Sequence, residues 1–272
     1  MSITPHVTLN NGLTMPQVGL GTWSLQGAAC VRTVRTALSL GIRLFDSATF
    51  YDNEAAVGQA LRSALAAGEV TRSDLFVVTK LYPNEYHQAA RAFERSLARL
   101  GLEYVDLVLL HHPGAGDVAA YQVLEQEVAR GRIKSLGLSN YYRQELPPFL
   151  KQVKLKPVLD QNEIHPFYQE QDVVPFIQEQ GLVVQAWYPL GGRGHTGEIL
   201  GHPVIAGLAR KHGKTSAQIV LRWLLQRGIT VVPGSADAAH MAQNLDLFSF
   251  SLEPEDMSAM AALDCGRKFD WY

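Results

Sequence analysis

The sequence predicts a single (β/α)8 TIM barrel of the α/β class, closed at its bottom by an N-terminal β-hairpin, and three observations predict it. Short apolar, β-rich runs begin near Val18, Ile42, Leu75, Val105, Ile133, Val158, Leu182 and Thr230. Eight such runs separated by helical patterns are what βαβ units around a closed parallel sheet require. No low-complexity linker or composition break divides the 272 residues, 47% of which are hydrophobic, so residues 1–272 are assigned to one barrel domain. No Gly-x-Gly-x-x-Gly run follows the first strand, which leaves a doubly wound open sheet as the lesser alternative.

The elements follow in order. Over residues 6–16, Val-Thr-Leu and Leu-Thr-Met flank Asn10-Asn11-Gly12, a hairpin signal, and a hairpin there plugs the barrel bottom. Amphipathic stripes at helical spacing lie between the strand runs: Val31, Val34 and Leu38, then Phe93, Leu97 and Leu100, then Ala217, Val220, Leu221 and Leu224. Thr215-Ser216 starts the last of these, and Gly41, Gly101, Gly181 and Gly228 supply stops. The stretch from Gly191-Gly192-Arg193-Gly194 to Gly201 follows the seventh strand and reads as too Gly-rich for an element, hence as a mobile loop over the active face.

Composition excludes several function classes. A formal net charge of -2 with scattered Lys and Arg leaves no basic excess for a phosphate backbone, so nucleic acid is not an expected partner. Cys30 and Cys265 are the only cysteines and stand far apart, which argues against a disulfide framework, a metal cluster and an oxidising compartment. The N-terminus lacks a charged-then-apolar leader pattern, and no stretch approaches the roughly 20 apolar residues that span a bilayer. A soluble cytoplasmic protein is expected.

Four chemically capable side chains sit at or just past the C-terminal ends of strand runs: Asp46 after Ile42–Asp46, Tyr51 shortly beyond, Lys80 ending Leu75–Lys80 and His111 ending Tyr104–His111. In a parallel barrel those ends share the face where barrel enzymes do chemistry. A carboxylate, a phenol, an amine and an imidazole gathered there make an acid/base apparatus. Taken singly, each has a plain reading: Asp46 and Lys80 as a buried ion pair, Tyr51 as packing, His111 as a strand cap.

The surrounding text shifts the balance. Gly41–Gly58 (GIRLFDSATFYDNEAAVG), VTKLY, LLHHP, GLSNY, QNEIHP and QAWYPLG arrive in barrel order, each at a strand end. This ordered set resembles the aldo-keto reductase family over nearly the whole chain, from Gly19-Leu20-Gly21-Thr22-Trp23 to Gln243-Asn244-Leu245. Within the family it looks closest to the bacterial diketogluconate and small-carbonyl reductase branch. The resemblance implies hydride transfer from a reduced nicotinamide to an aldehyde or ketone carbon, with Tyr51 supplying the proton to oxygen. An unperturbed phenol titrates near 10, too weak an acid for the task at neutral pH, so Lys80 is expected to sharpen it and Asp46 to hold Lys80 charged. His111 is expected to orient the carbonyl.

By the same resemblance Ser139, Asn140 and Gln161 meet the nicotinamide carboxamide, Trp187 stacks on its ring, and Gly21, Thr22 and Trp23 join the cofactor site. Backbone amides from Tyr188, Leu190 and Gly191 onward line the pyrophosphate, with Arg193 either a clamp or solvated. At the adenosine end, where many members carry Pro-Lys-Ser and then arginine, this chain has Pro233-Gly234-Ser235 and then His240. Gln243 stands where glutamate is usual, beside Asn244 for the adenine. NADP(H) is therefore the expected cofactor, with NAD(H) also accepted. Trp23, Phe50, Tyr82 and His112 wall the substrate pocket. Tyr82 and His112 replace the family's usual tryptophans, making the site more polar and suited to small polar aldehydes, α-keto carbonyls or keto sugars. A monomer is the family default, and no metal is implied. Two rivals stand beside this reading: a non-catalytic nicotinamide-binding regulatory subunit, and a barrel isomerase or aldolase with Lys80 as a Schiff-base amine.

Overall fold

The computed structural model describes residues 4–192 and 194–270. Its strands are β1 (His6–Thr8), β2 (Thr14–Pro16), β3 (Leu20–Gly21), β4 (Leu44–Asp46), β5 (Phe76–Leu81), β6 (Val105–Leu110), β7 (Ile133–Ser139), β8 (Leu159–Glu163), β9 (Val183–Trp187) and β10 (Ile229–Val231). Strands β3 to β10 pair in sequence order as one parallel sheet. A parallel bridge between Val18 and Val231 joins the two ends, reinforced by the Gly19 amide on the Val231 carbonyl and the Val231 amide on the Gln17 carbonyl, both at 3.0 Å. The sheet therefore closes into the eight-stranded barrel. Gly21 makes that seam possible, because a Cβ there would meet the Val232 carbonyl oxygen at 2.6 Å.

The eight runs of the sequence are the eight barrel strands, shifted by a residue or two at their starts. At the seam, Val18 contributes a single bridge and the ladder proper begins at Leu20. The hydrophobic stripes behave as expected: Val34, Leu38, Phe93, Leu97, Leu100, Val220, Leu221 and Leu224 are all buried between helices and barrel. The helix Ser216–Gln226 opens on a capping box, the Gln218 amide donating to Thr215 Oγ1 and the Gln218 side chain receiving the Thr215 amide. Gly101 ends Ala89–Leu100 with φ +61°, a left-handed conformation that glycine adopts without cost.

The hairpin is present, with β1 and β2 antiparallel in the register Val7 to Met15. Its connection is the five-residue stretch Leu9–Leu13 rather than a tight Asn-Gly turn, because both asparagines are used as anchors. Asn10 Nδ2 donates to the carbonyls of Pro157 (2.7 Å) and Gly181 (3.1 Å), and Asn11 Nδ2 to Ser135 Oγ (2.9 Å). Leu9 and Met15 enter the floor of the barrel against Leu44, Phe76 and Leu107.

Side-chain parity then decides what the other end of the barrel holds. Leu44, Phe76, Val78, Leu107, Leu109 and Leu159 fill the barrel interior, while Val77, Val108 and Leu110 face the helices. Strand side chains alternate with period two. Continuing the inward series toward the C-terminal end reaches Asp46, Lys80, His111, Gln161 and, on β9 beyond Val183, Gln185.

One expectation needs correction. The stretch Gly191–Gly201 contains a helical turn, Thr196–Leu200, so it is not wholly irregular. Ring stacking of His195 on Phe269 (centroids 4.0 Å apart, 5° between planes) and an Arg267–Glu198 ion pair tie that turn to the C-terminal tail. Arg193 lies outside the described residues.

Candidate active site

The inward residues at the barrel mouth form one bonded cluster. Lys80 is fully buried, and its Nζ contacts Asp46 Oδ2 at 2.6 Å, the Ser47 carbonyl at 3.0 Å and the Tyr51 hydroxyl at 3.1 Å. An ammonium carries three hydrogens and no acceptor, so all three are assigned and the Tyr51 oxygen is an acceptor from lysine. The phenol's own hydrogen is thereby turned away from Lys80. Burial pushes the Lys80 ammonium below the ordinary lysine range, and the Asp46 carboxylate opposes that fall. With all three hydrogens bonded and Asp46 favouring its charged form, Lys80 is a poor nucleophile, which argues against the Schiff-base reading.

Tyr51 ends a short 3-10 turn, Thr49–Tyr51, just past β4. Two neighbours that the sequence reading did not single out hold that turn. Gln26 Nε2 donates to the Tyr51 carbonyl at 2.8 Å, and buried Asn53 accepts from Ser47 Oγ while donating to the carbonyls of Thr22 and Leu25. Thr22 itself faces the barrel wall, its hydroxyl on the Asp46 carbonyl at 2.8 Å.

His111 packs edge-on to Tyr51, ring centroids 5.7 Å apart, and stacks on His112 at 4.9 Å with 9° between planes. Burial, then the positive charge of Lys80 and, as the smallest cause, the adjacent His112 imidazole hold His111 well below its usual titration range, so it is neutral at physiological pH. His111 Nδ1 is buried without a hydrogen-bond partner. An unpaired lone pair there is cheaper than an unpaired N–H, which favours the proton on Nε2. His112 is pushed down to about 4 by burial and nearby Lys268 and Lys80. Its tautomer follows from Asn140: Trp187 Nε1 donates to Asn140 Oδ1 (3.1 Å), so Asn140 Nδ2 is the donor to His112 Nδ1 (3.1 Å), leaving the His112 proton on Nε2.

Asn140 has φ +63°, and its Nδ2 is saturated by protein partners, since it also reaches the His111 carbonyl and Ser139 Oγ. Gln161 Nε2 donates to Asp46 Oδ1 at 3.2 Å and to Gln185 Oε1 at 2.6 Å. Its carbonyl oxygen is what Gln161 has left to offer a ligand. Phe50 is sandwiched between Trp23 (5.8 Å, 10°) and Tyr82 (4.4 Å, 15°), and Tyr82 stands edge-on to both histidines.

These groups open into one cleft of about 760 Å³. Asp46, Tyr51, His111 and His112 line its floor, with Trp23 and Phe50 on one wall and Trp187 on another. Ser139, Asn140 and Gln161 lie between. From there the cleft runs past Tyr188, Leu190 and Gly191 to Gly21, Gly234 and Ser235. The Gly191 amide already donates to the Tyr188 carbonyl at 2.8 Å, closing a turn in which Tyr188, Gly191 and Gly192 all have positive φ. Ser235 Oγ accepts from the Asp237 amide at 3.1 Å. His240 is exposed, Gln243 borders a separate shallow depression with Lys214 and Asp246, and Asn244 is buried; none of the three lines the cleft.

This geometry has close counterparts. The Aldo/keto reductase family model matches residues 17–264. The chain belongs to the aldo/keto reductase family. Methylglyoxal reductase DkgA of Yersinia pestis is 35% identical over 98% of this chain and 96% of its own length. An aldo-keto reductase enzyme from a deep-sea metagenome library superposes with a TM-score of 0.92 at 33% identity, covering 96% of each chain. The Bombyx mori aldo-keto reductase, solved in complex with NADP, gives 0.91 at 33% identity over 98% of this chain and 95% of that one. The chain is accordingly an NAD(P)H-dependent carbonyl-reducing oxidoreductase, and nothing in these matches favours a non-catalytic subunit.

Two features of this reductase's cleft escaped the sequence reading. Phe269 and Asp270 line it, and buried Glu163, at the end of β8, receives both their amides and His165 Nε2. Tail residues so far from the strands carry no periodic signal. Gln185 was legible as part of QAWYPLG, but only the register that sets it opposite Gln161 reveals a use.

Proposed function

We propose that Tyr51 is the proton donor in carbonyl reduction, with Lys80 and Asp46 tuning it and His111 orienting the substrate oxygen. The single observation that carries this is the Lys80 tripod, which leaves the phenol accepting from an ammonium and donating elsewhere. NADP(H) is the cofactor and, when bound, supplies the hydride.

The residues present fit that group. Gln161 offers a side-chain carbonyl oxygen of the kind a carboxamide N–H2 requires, Ser139 lines the same cleft with its hydroxyl donating to the Gln161 backbone carbonyl, and Trp187 gives a half-buried aromatic face above the same floor. The turn Tyr188–Gly192 faces the extended part of the cleft, where a pyrophosphate fits. At neutral pH His111 presents a neutral N–H donor to the carbonyl oxygen, which polarises it without competing for the proton that Tyr51 delivers. The phenolate that remains is stabilised by Lys80, already within hydrogen-bond reach.

The substrate class we infer is small and polar: an aldehyde, α-keto carbonyl or keto sugar. His112, with its proton on Nε2, adds a polar group to a pocket otherwise walled by Trp23 and Phe50, whereas Tyr82, expected in that wall, stacks behind Phe50 and does not line the cleft. One of the relatives, methylglyoxal reductase DkgA, is named for such a substrate. Residues 1–272 act as one barrel domain, working as a cytoplasmic monomer with no nucleic-acid partner. Among the described residues no helix is long and apolar enough to cross a membrane. Loss of nicotinamide absorbance with a panel of aldehydes, dicarbonyls and keto sugars, measured with each reduced dinucleotide, tests this reading. Equal inertness toward the whole panel would refute it.

A further inference from the structure

We infer that Gln185 is a positioning residue for the proton relay: it fixes the Gln161 amide so that Gln161 braces Asp46 on one side and presents its carbonyl oxygen to the cleft on the other. This rests on the reading of Tyr51 as proton donor, and it concerns a residue that touches neither substrate nor cofactor.

The argument begins with an ion pair. Asp46 Oδ2 is 2.6 Å from Lys80 Nζ, and a carboxylate accepts hydrogen bonds but donates none. Its other oxygen, Oδ1, therefore requires a donor, and Gln161 must turn its nitrogen toward it, as observed at 3.2 Å. That nitrogen carries a second hydrogen. In the parallel register of β8 and β9, Gln161 lies directly opposite Gln185, both on inward-facing positions, and Gln185 Oε1 receives the second hydrogen at 2.6 Å. Orientation propagates one step further: with Oε1 committed to Gln161, Gln185 Nε2 must face the other way.

There it finds nothing. Gln185 Nε2 is buried and has no hydrogen-bond partner, and Gln185 is fully inaccessible to solvent. A buried donor left unsatisfied is costly, and each such group calls for an explanation. An apolar side chain at this position would avoid the cost, as Val183 does two residues earlier on the same face. The orphaned nitrogen is thus the consequence of a fixed direction that runs Gln185 to Gln161 to Asp46 to Lys80 to Tyr51. With Gln161 bracing Asp46, the carboxylate shares its basicity between two donors, and the Lys80 ammonium is left to donate to Tyr51 as well as to Asp46. Without that brace Asp46 draws harder on Lys80, and the phenol becomes a weaker proton source. The charged and titratable groups facing this chain are Asp46 on β4, Lys80 on β5, His111 and the stacked His112 just after β6, and Tyr51 in the turn after β4.

Gln185→Met tests the inference, since methionine matches the length but offers no comparable acceptor. Expected are a fall of about tenfold in kcat/KM at neutral pH, consistent with one lost hydrogen bond, and an upward move of the alkaline limb of the pH profile. NADPH affinity, read by quenching of protein fluorescence, falls because the Gln161 oxygen is no longer held in one direction. The melting temperature holds or rises, because the orphaned amide is gone. Gln185→Glu keeps an oxygen at the same reach and recovers most of the rate. A Q185M enzyme with the wild-type rate and limb overturns the inference, as does an equal loss in both variants with the limb unmoved. Retained turnover in Tyr51→Phe would instead sink the underlying reading, so the two failures are distinguishable.

Discussion

Lys80 donates to the hydroxyl oxygen of Tyr51 across 3.1 Å while held from behind by Asp46 at 2.6 Å. The contact makes the lysine an electrostatic partner of the phenol rather than a reagent. Removing the phenolic hydrogen should therefore remove chemistry and little else. Tyr51→Phe is expected to lower kcat by about 10²- to 10⁴-fold, the range for a lost general acid, with the dissociation constant for NADPH changed by less than about twofold. Lys80→Met is expected to be comparably slow and also less stable, because it leaves Asp46 as a buried carboxylate without its cation. Single-turnover reduction at saturating cofactor, combined with fluorescence titration, checks both. Normal turnover in Y51F would remove the basis for the assignment.

The two stacked histidines predict a pH dependence of stability. His111 and His112 both titrate below the ordinary histidine value of 6.5 in the folded protein, His112 at about 4, with burial the largest cause in each. The unfolded chain takes up these protons as pH falls below about 6.5, whereas the folded chain refuses them. Folding stability is therefore full above 6.5 and declines as pH drops toward the folded-state values, at up to about 1.4 kcal/mol per pH unit for each histidine. Chemical denaturation between pH 7.5 and pH 5 measures the slope. His112→Phe should make it shallower, and an unchanged slope in that variant would show that His112 is protonated in the fold.

Cofactor preference turns on a local poverty of cations. Pro233-Gly234-Ser235 and His240 carry no lysine or arginine, and His240 is exposed at the start of a helix capped by Asp237. A charge-assisted hydrogen bond contributes about 1.5 to 3 kcal/mol, so a pocket lacking one should discriminate weakly between NADPH and NADH. His240→Arg is expected to raise the NADPH:NADH ratio of kcat/KM by about tenfold or more. Kinetics with both dinucleotides decide it. A wild-type enzyme already strongly selective for NADPH would mean that the 2′-phosphate is held by other groups.

Legibility in the sequence followed locality. Strand runs, helical stripes and inward parity are periodic signals, so the barrel and the convergence of Asp46, Lys80 and His111 could be read before any coordinates existed. Tyr51 could be placed just past a strand run, but its role as proton donor was readable only through family resemblance, since it sits on a turn where periodicity says nothing. Three kinds of information stayed hidden. Tautomers of His111 and His112 depend on partners such as Asn140 and Trp187 that meet only on folding. Gln185 acquires its use from strand register. The tail that walls the cleft joins Glu163 to Phe269, 106 residues apart, and no local pattern encodes such a contact.

That tail leads to the last prediction. Phe269 lies between two imidazole rings, His165 at 4.2 Å and His195 at 4.0 Å, both nearly parallel to it. His165 is fixed to the barrel through buried Glu163, whereas His195 belongs to the stretch that borders the extended part of the cleft. Phe269 thus fastens that stretch to the barrel, with the Arg267–Glu198 ion pair beside it. The ion pair is exposed and contributes little; the two stackings are each worth about 0.5 to 1.5 kcal/mol. Phe269→Ala is therefore expected to weaken NADPH binding by about three- to thirtyfold, mainly through faster release. Arg267→Ala should change it by less than about threefold. Stopped-flow displacement of bound NADPH separates the two rates. If release from F269A were as slow as from the wild type, the tail would be packing against the barrel without restraining the cofactor.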